Sequence, residues 1–171
     1  MDYKKILVPI NGEKADDEAV KLACRLAKKS KAKVYVLHVI KVERALPLEA
    51  TIEDLQQKAE EIMEHAERVA EEDADYEVET ELVQARETGP AIVDESIERD
   101  IDLIVMGATV KSRFGQHSLG TTLPYVLRSA PCRVIVTREP IGDGGEASVK
   151  TLENKQEPRL NGNHKSHVLP K

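Results

Sequence analysis

Short β-branched apolar runs alternate with stretches of helical period, and this alternation restricts the chain more than any other feature. KKILVPI (4–10), KVYVLHVI (33–40), YEVETELV (76–83), IDLIVMG (101–107) and RVIVTR (133–138) read as strands. Residues 15–29 carry Ala19, Leu22, Ala23, Leu26 and Ala27 at helical spacing. Residues 51–74 place Leu55, Ala59, Ile62, Ala66 and Val69 on one stripe of a long acidic helix. Gly89 and Pro90 open a helix that runs to about Arg99, and a last helix covers 122–129. The order β-α-β-α-β-α-β-α-β implies an open parallel sheet with helices on both faces.

The third run differs from the others. Val78, Thr80 and Leu82 alternate with Glu77, Glu79 and Glu81, which predicts a strand with one solvated face at a sheet edge. The fully apolar runs belong inside. A five-stranded order 3-2-1-4-5 meets both demands and puts strands one and four side by side. The winding reverses between them, and ligands of open α/β sheets bind at such a switch point, outside the carboxyl ends of the strands. PING (9–12) leaves strand one there, and GATVKSRFGQHSLGTT (107–122) leaves strand four.

The second of these segments has the chemistry of an anion cradle. Gly107 permits close backbone approach, and Gly120 permits a tight turn into the helix. Thr121 is placed as an N-cap, Thr122 adds a hydroxyl, and Pro124 falls in the first turn, where no helical N–H is lost. Free N–H groups and the helix dipole favour an anion, and Lys111, Arg113 and His117 add positive charge. Ordinary loop glycines, a routine cap and solvated basic residues are the competing reading. The dinucleotide fingerprint GxGxxG is absent, and GQHSLGTT (115–122) has Thr121 where a P-loop needs Lys.

Composition excludes several classes. The chain has 171 residues, a net charge of −6 and no Trp, with Phe114 its one Phe. Acidity argues against nonspecific binding to nucleic acid or anionic membrane, and the scarcity of aromatics argues against single-strand stacking. No run approaches the ~20 apolar residues of a membrane span, and MDYKKILVPI is unlike a signal peptide. A cytoplasmic location is expected, with Cys24 and Cys132 reduced. Residues 1–138 read as one domain. Residues 139–171 are polar and without sustained period, which predicts a disordered tail. His164 and His167 in that tail lack the further ligands a metal site needs.

The opening ILVPI-N-G, the LHV of strand two, IDLIVMG, and GTTLPYVLRSAPCRVIVTR together resemble the universal stress protein domain over residues 2–138. The resemblance implies a Rossmann-like, adenine-nucleotide alpha-hydrolase-like fold and a small stress-response protein that acts through partners. It also implies ATP or another adenine nucleotide as ligand, with or without Mg²⁺. In nucleotide-binding members the loop after strand four reads Gly, two residues, Gly, nine residues, Gly, then Ser or Thr. Here Gly107, Gly120 and Thr121 fit that spacing, and Val110 stands at the middle glycine. The family's acidic residue after strand one falls at Asn11. The backbone at Val39 and Met106 is implied to face the base, and Pro9 and Ile10 to line the same crevice.

Both departures have physical weight. Valine does not adopt positive φ cheaply, and Asn11 lacks the acceptor-only carboxylate. They support an alternative: a nucleotide-free, dimeric interaction module. No nucleophile–base–orienter set can be assembled, so no catalytic residue is assigned and an enzyme is not expected; a phosphotransferase with slow ATPase activity is a third class. As the other edge of the sheet, strand 133–138 leaves backbone groups unpaired. A homodimer through this strand is expected, as in the family's usual dimer.

Overall fold

The computed structural model describes residues 2–113 and 116–138, with the backbone alone at 111–113, 116 and 117. The expected tail with its two histidines, and Phe114, lie outside the described residues, as do the side chains of Lys111, Arg113 and His117. The elements are β1 (Lys5–Ile10), α1 (Lys14–Ser30), β2 (Lys33–Lys41), α2 (Glu53–Ala74), β3 (Glu79–Ala85) and α3 (Thr88–Glu98). They continue as β4 (Leu103–Ala108), β5 (Lys111–Arg113), β6 (Gln116–Ser118), α4 (Thr122–Ser129) and β7 (Arg133–Arg138). The main sheet is five-stranded, in the order β3-β2-β1-β4-β7, and its pairs are all parallel. This is the expected 3-2-1-4-5 arrangement.

Alternation along β1 divides the core into two layers. Ile6, Val8 and Ile10 pack with Ala19, Val20, Ala23 and Ala27 of α1 and with Ala66, Val69 and Ala70 of α2. Leu7 points the other way and joins Leu37, Val39, Ile104 and Met106 under Ile92 of α3 and Val126 of α4. The small residues of α1 allow the helix to lie close on the sheet. Its last-turn Lys28 and Lys29 complement the helix dipole, and Lys31 ends it in the left-handed region at φ 55°.

Three expectations change. The stripe of α2 is buried only from Ala59 onward, and Leu55, in the first turn, is 36% exposed. β3 starts at Glu79, later than the predicted Tyr76, because the chain is still leaving α2: Asp75 takes φ 44°, and the Tyr76 hydroxyl donates to the Ala32 carbonyl at 2.6 Å. Nor is its glutamate face simply solvated. Glu81 pairs with Arg99 at 2.9 Å, Arg99 lies over the Tyr35 ring, and Val83 and Ala85 continue that face into the α3 layer. The third change is the antiparallel β5–β6 hairpin within the segment read as one loop. Two polar strands of three residues each carry no periodic signal.

The opening between β1 and β4 follows from their register. β1 matches β2 at six positions, Lys5 to Ile10, and β4 matches β7 at six, Leu103 to Ala108. Between β1 and β4 the match is two positions, Ile6 with Leu103 and Leu7 with Ile104. Pro9 has no N–H to give a ladder, and the carboxyl ends of the two central strands part beyond Leu7. At the other end Asp102 holds them together, its carboxylate accepting the Lys4 and Lys5 amides at 2.7 and 3.0 Å.

Candidate functional site

The parting of β1 and β4 leaves a crevice of about 210 Å³ at the switch point. Pro9, Ile10, Asn11, Val39, Met106, Gly107, Gly120, Thr121 and Thr122 all line it. Four strand ends and loops thus bring nine of the ten positions singled out in the sequence to one place. The tenth does not join them. Val110 is absent from the lining and 40% exposed. Among the described residues, the non-glycine positions with positive φ are Lys31, Asp75 and Asp100, so Val110 is not forced into a glycine conformation.

Two of the expected local roles are corrected. Gly107 does allow close approach, but by the protein itself: a Cβ there would stand 2.4 Å from the Ala15 carbonyl oxygen and 2.9 Å from the Asp16 nitrogen. The glycine seats the start of α1 on the end of β4. Thr121 occupies the N-cap position of α4 but has helical φ and ψ of −103° and −27°, and its side chain makes no capping bond. A cap normally takes extended backbone to aim its oxygen at the helix amides. Gly120 acts as expected, with φ 71°, and its amide donates to Ser118 Oγ at 3.1 Å. The first N–H groups of α4 therefore lack a side-chain cap at the crevice wall.

Asp16 caps the start of α1: its Oδ2 accepts the amides of Asn11, Gly12 and Glu13 at 2.8, 3.0 and 3.0 Å. It also lines the crevice and is only 8% exposed. Burial raises its carboxyl above the usual carboxylate range, against the downward pull of the three amides. Its spacing of five residues from Asn11, across a glycine, was the available signal. Asn11 is turned to its own loop, where Oδ1 accepts the Glu13 amide at 3.0 Å.

Thr88, Ile92 and Leu119 also line the crevice. His38 lies near Ile10 instead, with Nδ1 3.0 Å from the Ile10 carbonyl oxygen, and burial lowers its pKa. His65 meets Asp17 at 2.9 Å. Among the described residues no group of three His, Cys, Asp or Glu side chains could share a metal ion, and no helix is long and apolar enough to cross a membrane.

One wall of the crevice offers the start of α4, the floor is apolar, and a buried carboxylate stands on the α1 side. The whole is a doubly wound parallel α/β domain with a ligand-sized opening at its switch point, of the adenine-nucleotide alpha-hydrolase-like fold. The sequence pattern of the universal stress protein family matches residues 2–138, and the chain belongs to that family. A universal stress protein of Methanocaldococcus jannaschii is 32% identical over 144 residues, which cover 81% of this chain and 84% of the relative. The solved universal stress protein from Archaeoglobus fulgidus in complex with dAMP is 24% identical, with a TM-score of 0.62 over 80% of this chain and 98% of that one. A universal stress protein solved in complex with cAMP is 20% identical, with a TM-score of 0.65 over 81% and 98%. At these identities the two structures are likenesses of fold.

Proposed function

We propose that this protein binds an adenine nucleotide in the β1–β4 crevice and acts in a stress response through partners that sense the loaded state. The observation that carries the reading is the convergence of Pro9, Ile10, Val39 and Met106 with Gly120, Thr121 and Thr122 around one opening. The apolar group suits a base. The amides at the start of α4 and two threonine hydroxyls suit phosphate. Fold relatives solved with dAMP and cAMP support an adenine ligand. ATP is the ligand proposed first, with Mg²⁺ on its phosphates. The protein binds and does not turn over, and it works in the cytoplasm.

Calorimetry with ATP and AMP, with and without Mg²⁺, tests the reading. Micromolar binding is the expected result, and absence of binding by both nucleotides overturns it. Because Val110 lies outside the lining, Val110→Gly is expected to leave the affinity unchanged. ADP release from the loaded protein would count against binding without turnover.

A second reading has its own support. The crevice, at about 210 Å³, is smaller than the ~300–1,000 Å³ of typical ligand clefts, and Asn11 is engaged with its own loop. On this reading the protein is a nucleotide-free interaction module. Either reading includes a homodimer through β7, which is an edge strand with Val136 exposed. Ile135→Pro is then expected to give monomers by sedimentation, and an unchanged dimer would exclude that interface.

A further inference from the structure

We propose that the β3–α3 side of the domain docks a partner protein. The partner adds an extended segment to the free edge of β3 and sets an apolar residue, flanked by lysines or arginines, in the groove between β3 and α3. The inference rests on the reading above that the protein acts through partners, deepens it, and needs no bound nucleotide. β3 ends the sheet and pairs on one side only, with β2. Such an edge offers N–H and C=O groups to an incoming chain. Beside it lies a groove of about 390 Å³ that shares no lining residue with the crevice. Val83 and Ala85 of β3, Pro90 and Ala91 of α3, and Leu48 of the loop after β2 give it an apolar lining. An added strand turns alternate side chains toward such a groove, so the edge supplies affinity and the groove supplies selectivity. Leu48 and, farther along α3, Ile97 are exposed.

Charge selects the partner. From Glu79 to Glu98, the span of β3 and α3, the chain holds six carboxylates and one cation, Arg86. Arg86 is turned to the loop after β2, where its guanidinium donates to the carbonyls of Val42, Glu43 and Leu46. Arg99 pairs with Glu81 and Glu95 at 2.9 Å each, and Lys33 pairs with Glu79. Asp94 lines the groove, and neither it nor Glu98 pairs with a cation among the described residues. Helical spacing places Pro90, Asp94, Ile97 and Glu98 on one face of α3, so apolar and acidic groups alternate along the rim. This surface repels nucleic acid and any acidic strand, a second β3 included, and attracts a cationic one. The basic strand of this chain itself, β7, is taken up in the homodimer proposed above.

The test is an NMR titration of the isotope-labelled full chain with the synthetic peptide Lys-Lys-Val-Ile-Val-Lys-Lys, beside the same peptide with glutamates for lysines. At low salt the lysine peptide is expected to shift the amides of β3, α3 and Leu48, and the glutamate peptide to shift none of them. No shifts, shifts confined to β7, or equal shifts with both peptides overturn the proposal. Asp94→Lys with Glu98→Lys is expected to weaken the lysine peptide roughly five- to ten-fold, the size of two exposed charge contacts reversed. Glu64→Lys with Glu72→Lys changes the net charge equally on α2, across the sheet, and is expected to leave the affinity near the native value. Equal losses in the two variants mean attraction by net charge alone and overturn the site. Sedimentation that shows assemblies beyond a dimer, lost in Asp94→Lys with Glu98→Lys, gives the surface to a second copy instead. Calorimetry with ATP is independent: its failure removes the nucleotide reading and leaves this surface, and failure of the peptide leaves the crevice.

Discussion

A Cβ on Gly107 would lie 2.4 Å from the carbonyl oxygen of Ala15. The neighbour is backbone in the first turn of α1, so no side-chain rotation relieves the contact. Gly107→Ala is therefore expected to cost about 3 kcal/mol, the upper part of the overpacking range. It should also weaken any crevice ligand, because the displaced turn carries Asp16. Urea denaturation together with calorimetry checks both effects; a variant as stable as the native chain would contradict the packing role.

Gly120 makes the opposite case. Nothing lies within 4 Å of an added Cβ, but φ is 71°. Gly120→Ala is expected to cost about 1–2 kcal/mol from the left-handed backbone alone. The urea midpoint should fall with an unchanged slope. A larger loss than in Gly107→Ala would reverse the argument.

His38 adds a pH dependence. Its folded pKa is lowered, chiefly by burial and also by Lys58, with the Ile10 carbonyl pulling upward. Below an unfolded value of about 6.5, the unfolded chain binds the proton more readily than the fold does. The contribution of His38 to stability is then fully present above that pH and is lost as pH falls through the folded value. Melting temperatures at neutral pH and at pH ~5 should differ more for the native protein than for His38→Gln. Equal differences would remove His38 as a cause.

The two thiols should react at different rates. Cys24 is fully buried, and burial pushes its pKa up to about 11. Cys132 is raised too, also by burial, but it is half-buried. Reaction needs the thiolate and access. At mild alkaline pH a maleimide or disulfide reagent is expected to label Cys132 first, and Cys24 only as the chain unfolds. Mass spectrometry of the labelled peptides reads the order, and early labelling of Cys24 would contradict its burial.

The fold was legible because its signals are local and repeated. Apolar runs such as IDLIVM and the alanine spacing of α1 mark burial along an element, and alternation of element types leaves few topologies. The glutamates of YEVETELV correctly marked an edge, but Arg99, distant in sequence, meets Glu81 and covers part of that face. Helix periodicity likewise identified α2 while missing how far the layer beneath extends, which leaves Leu55 outside. β5 and β6 were invisible because three polar residues in a strand look like a loop.

The site divides in the same way. The winding reversal between β1 and β4, a property of chain order, pointed the segments 9–12 and 107–122 to one crevice, and the family resemblance added Val39 and Met106; nine of the ten positions line it. Tertiary structure decided the rest: that Gly107 serves α1, that Val110 stands outside, and that Asp16 lines the crevice while it caps α1. Those outcomes depend on which backbone meets which across a gap between elements. Such contacts arise from the packing of layers, and no local pattern of residues encodes them.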